Sequence, residues 1–259
     1  MQQPGVHCAT GNIRMKLVQQ HLFRLAVPVR LLLIAIFASV GAAAAHGADY
    51  TPDGADYTPD VAEFDGTSTL RFDVTPDLFL GAGGSIEFWV VPDWTEAPGY
   101  DPVVISNAGP EGASYLVALL RDRDGLVFIS GDAEFFLAFD FTDRRLHHVA
   151  LVYEENRIAG YVDGRLQGAV EFTVTDLPSM GLWIGSADGS TAPFTGAVAG
   201  LRIWGAALTR EEIVAFAAED VLAERRAHPA SPYLLAVSDF RNENLLIMQE
   251  EPAPGEEAP

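Results

Sequence analysis

Phe194-Thr195-Gly196-Ala197-Val198-Ala199-Gly200-Leu201-Arg202-Ile203-Trp204, followed by Leu208-Thr209-Arg210-Glu211-Glu212-Ile213, reads as a β-strand that turns into a capped helix. Leu201 and Ile203 fall on one face and Arg202 and Trp204 on the other, the two-residue period of a strand. Thr209 stands three residues before Glu212, the spacing of a capping box. There the Thr hydroxyl accepts from the Glu212 backbone N–H, and the Glu carboxylate accepts from the N–H of Thr209.

Upstream, short apolar runs alternate with Gly, Pro and Asp turns from Val61 onward, the spacing of a sandwich or barrel. Thr69 to Val74 alternates polar and apolar. Ser85-Ile86-Glu87-Phe88-Trp89-Val90-Val91 is β-branched and aromatic, bounded by Gly81-Ala82-Gly83-Gly84 and Pro92. Val103–Ser106, Ser114–Leu120, Gly125–Ile129, Leu146–Tyr153, Ile158–Val162, Gly168–Val174 and Leu182–Gly185 read as further strands. Asp163-Gly164 is the strongest hairpin signal, because a type I′ turn needs positive φ at both central residues. No helix-length segment separates these strands, which argues against a parallel α/β fold. One helix is expected from Arg210 to about Arg226, with Ile213, Phe216, Ala217 and Val221 on one stripe, docked on the sandwich edge.

The chain has 259 residues, 49% of them hydrophobic, enough for one large β-domain with a sizeable core. Its net charge is −20. Four of the 16 basic residues (Arg14, Lys16, Arg24, Arg30) and none of the 36 acidic ones precede position 46, so the remainder carries −24. Such a surface repels phosphate backbones and excludes nucleic acid as a natural partner. The single Cys8 lies in the same leading stretch, so the rest can form no disulfide and no thiolate metal site.

Residues 1–45 follow the grammar of an export signal. Lys16 to Arg30 is basic, Leu31 to Val40 is apolar, and Ala43-Ala44-Ala45 supplies the small residues that signal peptidase requires. Met15 is an alternative start, with residues 1–14 an extension. The uncharged run from Leu31 to Ala45 is shorter than the roughly 20 residues that span a bilayer, so cleavage is expected rather than a stable membrane anchor. The expected product is secreted, periplasmic or extracellular. Residues 46–60 form a linker in which Ala-Asp-Tyr-Thr-Pro-Asp occurs twice in tandem. Residues 61–217 form the main domain. Residues 218–249 hold the end of the helix and a small hairpin (233–248), which must pack on the domain or a partner because a lone hairpin is marginal. Residues 250–259 are acidic and Pro-rich, a composition expected to be disordered.

Four stretches, taken in order, resemble the laminin G-like jelly roll of the concanavalin A-like lectin/glucanase superfamily. They are Ala62-Glu63-Phe64-Asp65-Gly66-Thr67 with Leu70; Ile86-Glu87-Phe88-Trp89-Val90; His147-His148-Val149-Ala150 with Tyr161-Val162-Asp163-Gly164; and the strand–helix unit quoted first. One departure is Leu146, where the family has Trp. The resemblance implies an all-β, antiparallel two-sheet sandwich with one C-terminal helix. It also implies binding to glycans or extracellular proteins, often with calcium.

His147 and His148 are adjacent, so on a strand they face opposite sides and cannot chelate one metal together; one should be buried, the other exposed. The glucanases of the superfamily place three carboxylates on one strand. Glu63-Phe64-Asp65 begins that pattern, but Gly66, Thr67 and Ser68 follow, so the set is incomplete and no enzyme is expected. Asp65 and Asp188, where family members turn, are the candidate Ca2+ ligands; an ordinary turn is the competing reading of Asp188-Gly189. Arg121-Asp122-Arg123-Asp124-Gly125 reads as a solvated hairpin tip. Trp94 and Tyr100, in the Pro92–Pro102 loop, either stack on a sugar or cap the sandwich edge, with Asn107 as a polar partner. The expected function is a secreted, non-catalytic module for carbohydrate or another extracellular polymer. The alternatives are a protein-interaction module and a glycoside hydrolase.

Overall fold

The computed structural model describes residues 61–73, 78, 80–81, 83–96, 98–109, 111–123, 125–179, 181–218, 234–238, 240 and 246–247. The leader, the tandem linker and the acidic tail lie outside this set. The strands are β1 (Val61–Asp65), β2 (Leu70–Phe72), β3 (Gly83–Pro92), β4 (Val103–Gly109), β5 (Gly112–Leu120), β6 (Gly125–Ser130) and β7 (Ala133–Ala138). They continue with β8 (His147–Glu154), β9 (Arg157–Val162), β10 (Arg165–Glu171), β11 (Leu182–Ile184), β12 (Thr195–Trp204), β13 (Leu234–Ser238) and β14 (Leu246–Ile247). Helix α1 spans Arg210–Ala217. Among the described residues no helix is long and apolar enough to cross a membrane.

Two antiparallel sheets form the expected sandwich. The larger has the order β10-β9-β8-β3-β12-β13-β14, with β1 also paired to β12; the smaller runs β2-β11-β4-β5-β6-β7. Alternation along the strands builds the core between them. Ile86, Phe88 and Val90 of β3 and Val149 and Leu151 of β8 meet Val117 and Leu119 of β5 and Leu126 and Phe128 of β6. Removing such side chains from water is the main stabilising contribution to a fold with no disulfide.

β12 has two successive neighbours on one edge. Its first half pairs with β1 (Asp65↔Thr195 to Val61↔Ala199), its second with β13 (Leu201↔Ser238 to Trp204↔Leu234). Between them, at Gly200, its register on β3 shifts. The two described strands of the 233–248 stretch, β13 and β14, are thus part of the large sheet, with Ala236 in the core. Two hairpins use paired positive φ: Asp163-Gly164 (48° and 69°), as the sequence suggests, and Glu155-Asn156 (48° and 62°), which it signals only through Asn156. Strand β7, Ala133–Ala138, was likewise not expected from the sequence.

The capping box at the start of α1 is present as read. Thr209 Oγ1 accepts from Glu212 N at 3.2 Å and Thr209 N donates to Glu212 Oε2 at 2.7 Å. The helix corrects two expectations. It closes at Ala217 rather than near Arg226, because Ala218 N donates to Ala215 O, three residues back, and tightens the last turn. It also lies on the outer face of the large sheet, not its edge: Ile213 and Phe216 pack on Ala150, Val152, Trp204 and Leu234. Phe216 stacks on Trp204 at 4.6 Å. Thr209→Ala is expected to lower stability by about 1 kcal/mol, read as a drop in thermal midpoint of about 3 °C.

Candidate functional site at one rim of the sandwich

Strand direction brings most of the candidate residues to one end of the sandwich. In the large sheet, Asp65 of β1 pairs with Thr195 of β12, Pro92 of β3 with Gly196, and Val90 with His147 of β8. The turn after Asp65, the loop after Pro92, the loop before His147 and the Asp163-Gly164 turn therefore share a rim. The smaller sheet adds its own ends there. Asp93 N donates to Thr195 O, Val103 N to Ala192 O, and Gly66 N to Phe194 O. Trp94, Tyr100, Asp65 and Asp188 all lie in these loops. Asn107 does not: it stands toward the other end of β4, beside the turn into β5. Its side chain is buried and Oδ1 accepts from Tyr115 N at 2.8 Å, closing the bulge between Ser106 and Ala108. That is a structural task within the sheet.

Trp94 is half-buried and rests on the core, while Nε1 donates to Phe141 O at 3.2 Å. The Arg121 guanidinium lies 5.1 Å from the ring centroid, a cation–π contact. Arg121 opens a short 3-10 turn, Arg121–Arg123, and thus serves the rim as a partner rather than only a solvated tip. Arg144 Nη2 donates to Thr95 Oγ1 at 3.3 Å, tying the two loops together a second time. Phe139 and Phe141 stand edge-to-face at 4.8 Å beneath them. Tyr100 is half-buried in the same loop as Trp94.

The rim turns share one local device. In Asp65-Gly66-Thr67, Asp93-Trp94-Thr95, Asp140-Phe141-Thr142 and Asp188-Gly189-Ser190 the carboxylate accepts from the backbone N–H and the hydroxyl two residues on. Asp143 makes the backbone bond alone, to Arg145 N. These Asx turns set each loop without neighbouring structure. The Asp-x-Thr/Ser spacing was available in the sequence and would have identified Asp140 and its loop, which the sequence reading passes over. The bonds favour the ionised form. Asp65 is held well below the usual carboxylate range by the Thr67 and Ser68 backbone N–H groups and then by their hydroxyls. At Asp188 partial burial pulls upward, but the bonds from Thr191 and Ser190 outweigh it and the pKa falls.

The Asp65 and Asp188 turns are neighbours. Thr69 Oγ1 lies 2.9 Å from Ser186 Oγ and donates to Ile184 O. Ser186 Oγ in turn accepts from Gly189 N. Both carboxylates are exposed and ionised, a hard-oxygen chemistry that suits Ca2+. Among the described residues no group of three or more His, Cys, Asp or Glu side chains could hold a metal ion. A calcium here would need backbone carbonyls for most of its six to eight ligands.

Both adjacent histidines are buried, His147 at 4% and His148 at 1% exposure, where one was expected outside. They face opposite sides as expected, but neither side is solvent. His147 packs on Phe139 and Phe141 at the rim. His148 lies under the outer face, its ring 4.4 Å from that of Trp89 and Nε2 3.3 Å from Glu87 Oε2.

Compared by sequence with curated proteins, the chain matches none. Solved structures resemble it at low identity. The receptor-binding domain of botulinum neurotoxin mosaic serotype C/D matches 63% of this chain and 43% of its own with TM-score 0.50 and 10% identity. Domain 4 of the extracellular arabinanase AbnA from Geobacillus stearothermophilus matches 61% and 76% with TM-score 0.43 and 20% identity. The CBM40 of the Ruminococcus gnavus IT-sialidase matches 62% and 97% with TM-score 0.46 and 13% identity. The chain spans about half the length of the first solved structures it matches, 47% and 48%. The laminin G family model described as the concanavalin A-like lectin/glucanases superfamily matches residues 64–214, more than half of the sequence, and the chain belongs to that family.

Proposed function

We propose that this protein is a secreted, non-catalytic binding module whose ligand is a carbohydrate or another extracellular polymer, held at the rim that carries Trp94. The observation that carries this reading is the Trp94 assembly. The indole is half-exposed, fixed by its Nε1 bond to Phe141 O and capped by Arg121, in loops that also carry Arg144 and ionised Asp93 and Asp140. An immobilised ring presents a flat apolar surface to the C–H face of a sugar at little entropic cost. The surrounding carboxylates and guanidinium groups suit its hydroxyls. Tyr100, half-buried on the same loop, is the second ring this reading assigns to the ligand. Membership of a superfamily that includes lectins supports a binding role, although fold alone never assigns function.

The superfamily also contains glucanases. The non-catalytic reading rests on the strand that would carry the acids: Glu63 is the residue before core-facing Phe64, and the chain turns directly after Asp65. Of the 233–248 stretch, β13 is engaged by β12 and β14 by β13, which leaves the rim as the better-supported contact surface. Calcium assists, in this reading, by cross-linking the Asp65 and Asp188 turns. Cleavage after the Ala43–Ala45 run delivers the module outside the cytoplasm; N-terminal sequencing of the exported chain checks this.

A polysaccharide array followed by calorimetry, with and without Ca2+, tests the proposal. Trp94→Ala is expected to weaken the strongest polysaccharide about ten-fold, the ~1.4 kcal/mol expected of one stacked ring. Asp188→Ala is expected to abolish any Ca2+-dependent rise in thermal midpoint. Retention of full affinity by Trp94→Ala would move the site elsewhere. Release of reducing ends from a glucan, lost in Glu63→Gln, would replace the proposal by the hydrolase reading.

A further inference from the structure

His147 has an environment that none of the binding chemistry above requires. Its Nδ1 lies 2.8 Å from Asp163 Oδ2 and its Nε2 3.0 Å from Asp143 Oδ1. An ionised carboxylate only accepts, so each contact needs an N–H on the ring. Neutral imidazole has one such group and imidazolium two. The two contacts together select the cation. Phe139 and Phe141 flank the ring edge-on at 4.7 and 5.9 Å, and β3 places uncharged Val90 opposite in register. Asp140, on its own loop, also acts with it electrostatically, and Arg145 acts on Asp143. Burial pulls the His147 pKa down, but the bonds to Asp163 and Asp143 outweigh it and hold the pKa above the ordinary imidazole value.

The two carboxylates belong to different elements. Asp163 sits in the β9–β10 turn and also accepts from His148 N through Oδ1 at 3.0 Å. Asp143 sits in the loop before β8, whose Phe141 O receives the Trp94 indole N–H and whose Arg144 reaches Thr95. We infer that His147 is a positioning residue for the Trp94 platform: its imidazolium clamps the Asp143 loop to the Asp163 turn, and loss of the proton loosens the loop on which the indole is anchored. The consequence for ligand affinity rests on the binding role proposed for Trp94; the coupling itself does not. The clamp is fully present below the ordinary imidazole pKa of about 6.5 and is lost as pH rises through the higher value of the folded state.

NMR of the full chain, with ¹⁵N label, tests this from about pH 5 to about pH 10. The Trp94 indole N–H, identified by its loss in Trp94→Phe, should shift with the same midpoint as the His147 ring. That midpoint should lie above the ordinary one. In His147→Gln the indole signal should be constant over the same range. If that variant does not fold, Asp143→Asn serves: the His147 midpoint should fall toward the ordinary value and the indole shift should follow it. An indole signal that ignores the His147 titration overturns the inference. So does one that moves identically in His147→Gln, or a ring and indole both unchanged up to the alkaline limit. A failed polysaccharide screen would count against Trp94 as a sugar platform and leave this result intact.

Discussion

Arg202→Ala is expected to destabilise the domain by about 3–5 kcal/mol, because it strands a buried carboxylate. Glu87 and Arg202 are fully enclosed between the outer face of the large sheet and α1. Arg202 Nη1 donates to Glu87 Oε1 at 3.0 Å and to Phe216 O at 2.7 Å. Trp204 Nε1 adds a bond to the same Glu87 oxygen at 3.3 Å, and the guanidinium stacks 4.9 Å over Trp89. The helix has no basic residue in its own last turn, so the sheet supplies the cation its C-terminal carbonyls favour. One substitution thus removes an ion pair, a helix C-terminal bond and a ring contact. For a domain of this size the midpoint should fall by roughly 10 °C. Replacing both partners, as in Glu87→Leu with Arg202→Leu, should recover much of the loss, since an apolar pair carries no stranded charge.

The same cluster fixes the acid limit of stability. Burial pushes Glu87 upward, but Arg202 and then His148 outweigh it, and the folded-state pKa lies below the ordinary value. A depressed carboxyl contributes stability above its unfolded pKa, about 4.3 for Glu, and loses it as pH falls through the folded value. Denaturant melts of the wild type should therefore weaken below about pH 4. A flat profile there, or a midpoint unchanged in Arg202→Ala, would remove the ion pair from the account of how α1 is held.

Gly200→Ala is the second large effect, expected at about 2–5 kcal/mol from the sum of backbone strain and overpacking. Gly200 has φ 51°, in the left-handed region. A Cβ there would lie 2.6 Å from Cζ3 and 2.8 Å from Cε3 of Trp89. The ring cannot retreat easily, since Leu146 and Ala199 pack on it, Arg202 stacks over it and His148 lies against it. Gly200 also marks the place where β12 exchanges β1 for β13 as neighbour. The variant should show a lower melting midpoint and faster amide exchange in β13. Unchanged exchange with a changed midpoint would confine the role of Gly200 to packing.

Much of the architecture was legible because it is local. The alternation of Leu201, Arg202, Ile203 and Trp204, the Thr209/Glu212 box and the Asp163-Gly164 turn each depend on residues a few positions apart, and all stand as read. The turn and loop positions of Trp94, Asp65 and Asp188 were legible for the same reason: turns and loop aromatics are visible in composition. What failed was what depends on contacts across the chain. Asn107 looked like a loop-side polar partner, but the Tyr115 backbone N–H, 8 residues away in sequence and across the bulge, claims its carbonyl. One His of the His147-His148 pair was expected in water, but Phe139 and Phe141 pack on His147, Trp89 and Glu87 lie against His148, and both are buried.

By itself, then, the sequence determined the strand pattern, the turns and the helix start, because period and capping are set by neighbouring residues and by backbone geometry. Only the tertiary structure decided that Glu87, Arg202 and Phe216 meet, that Trp94 rests under Arg121, and that His147 lies between two carboxylates. Those contacts join residues separated by up to 115 positions, and desolvation, which sets their strength, does not exist until the sheets and the helix have closed over them.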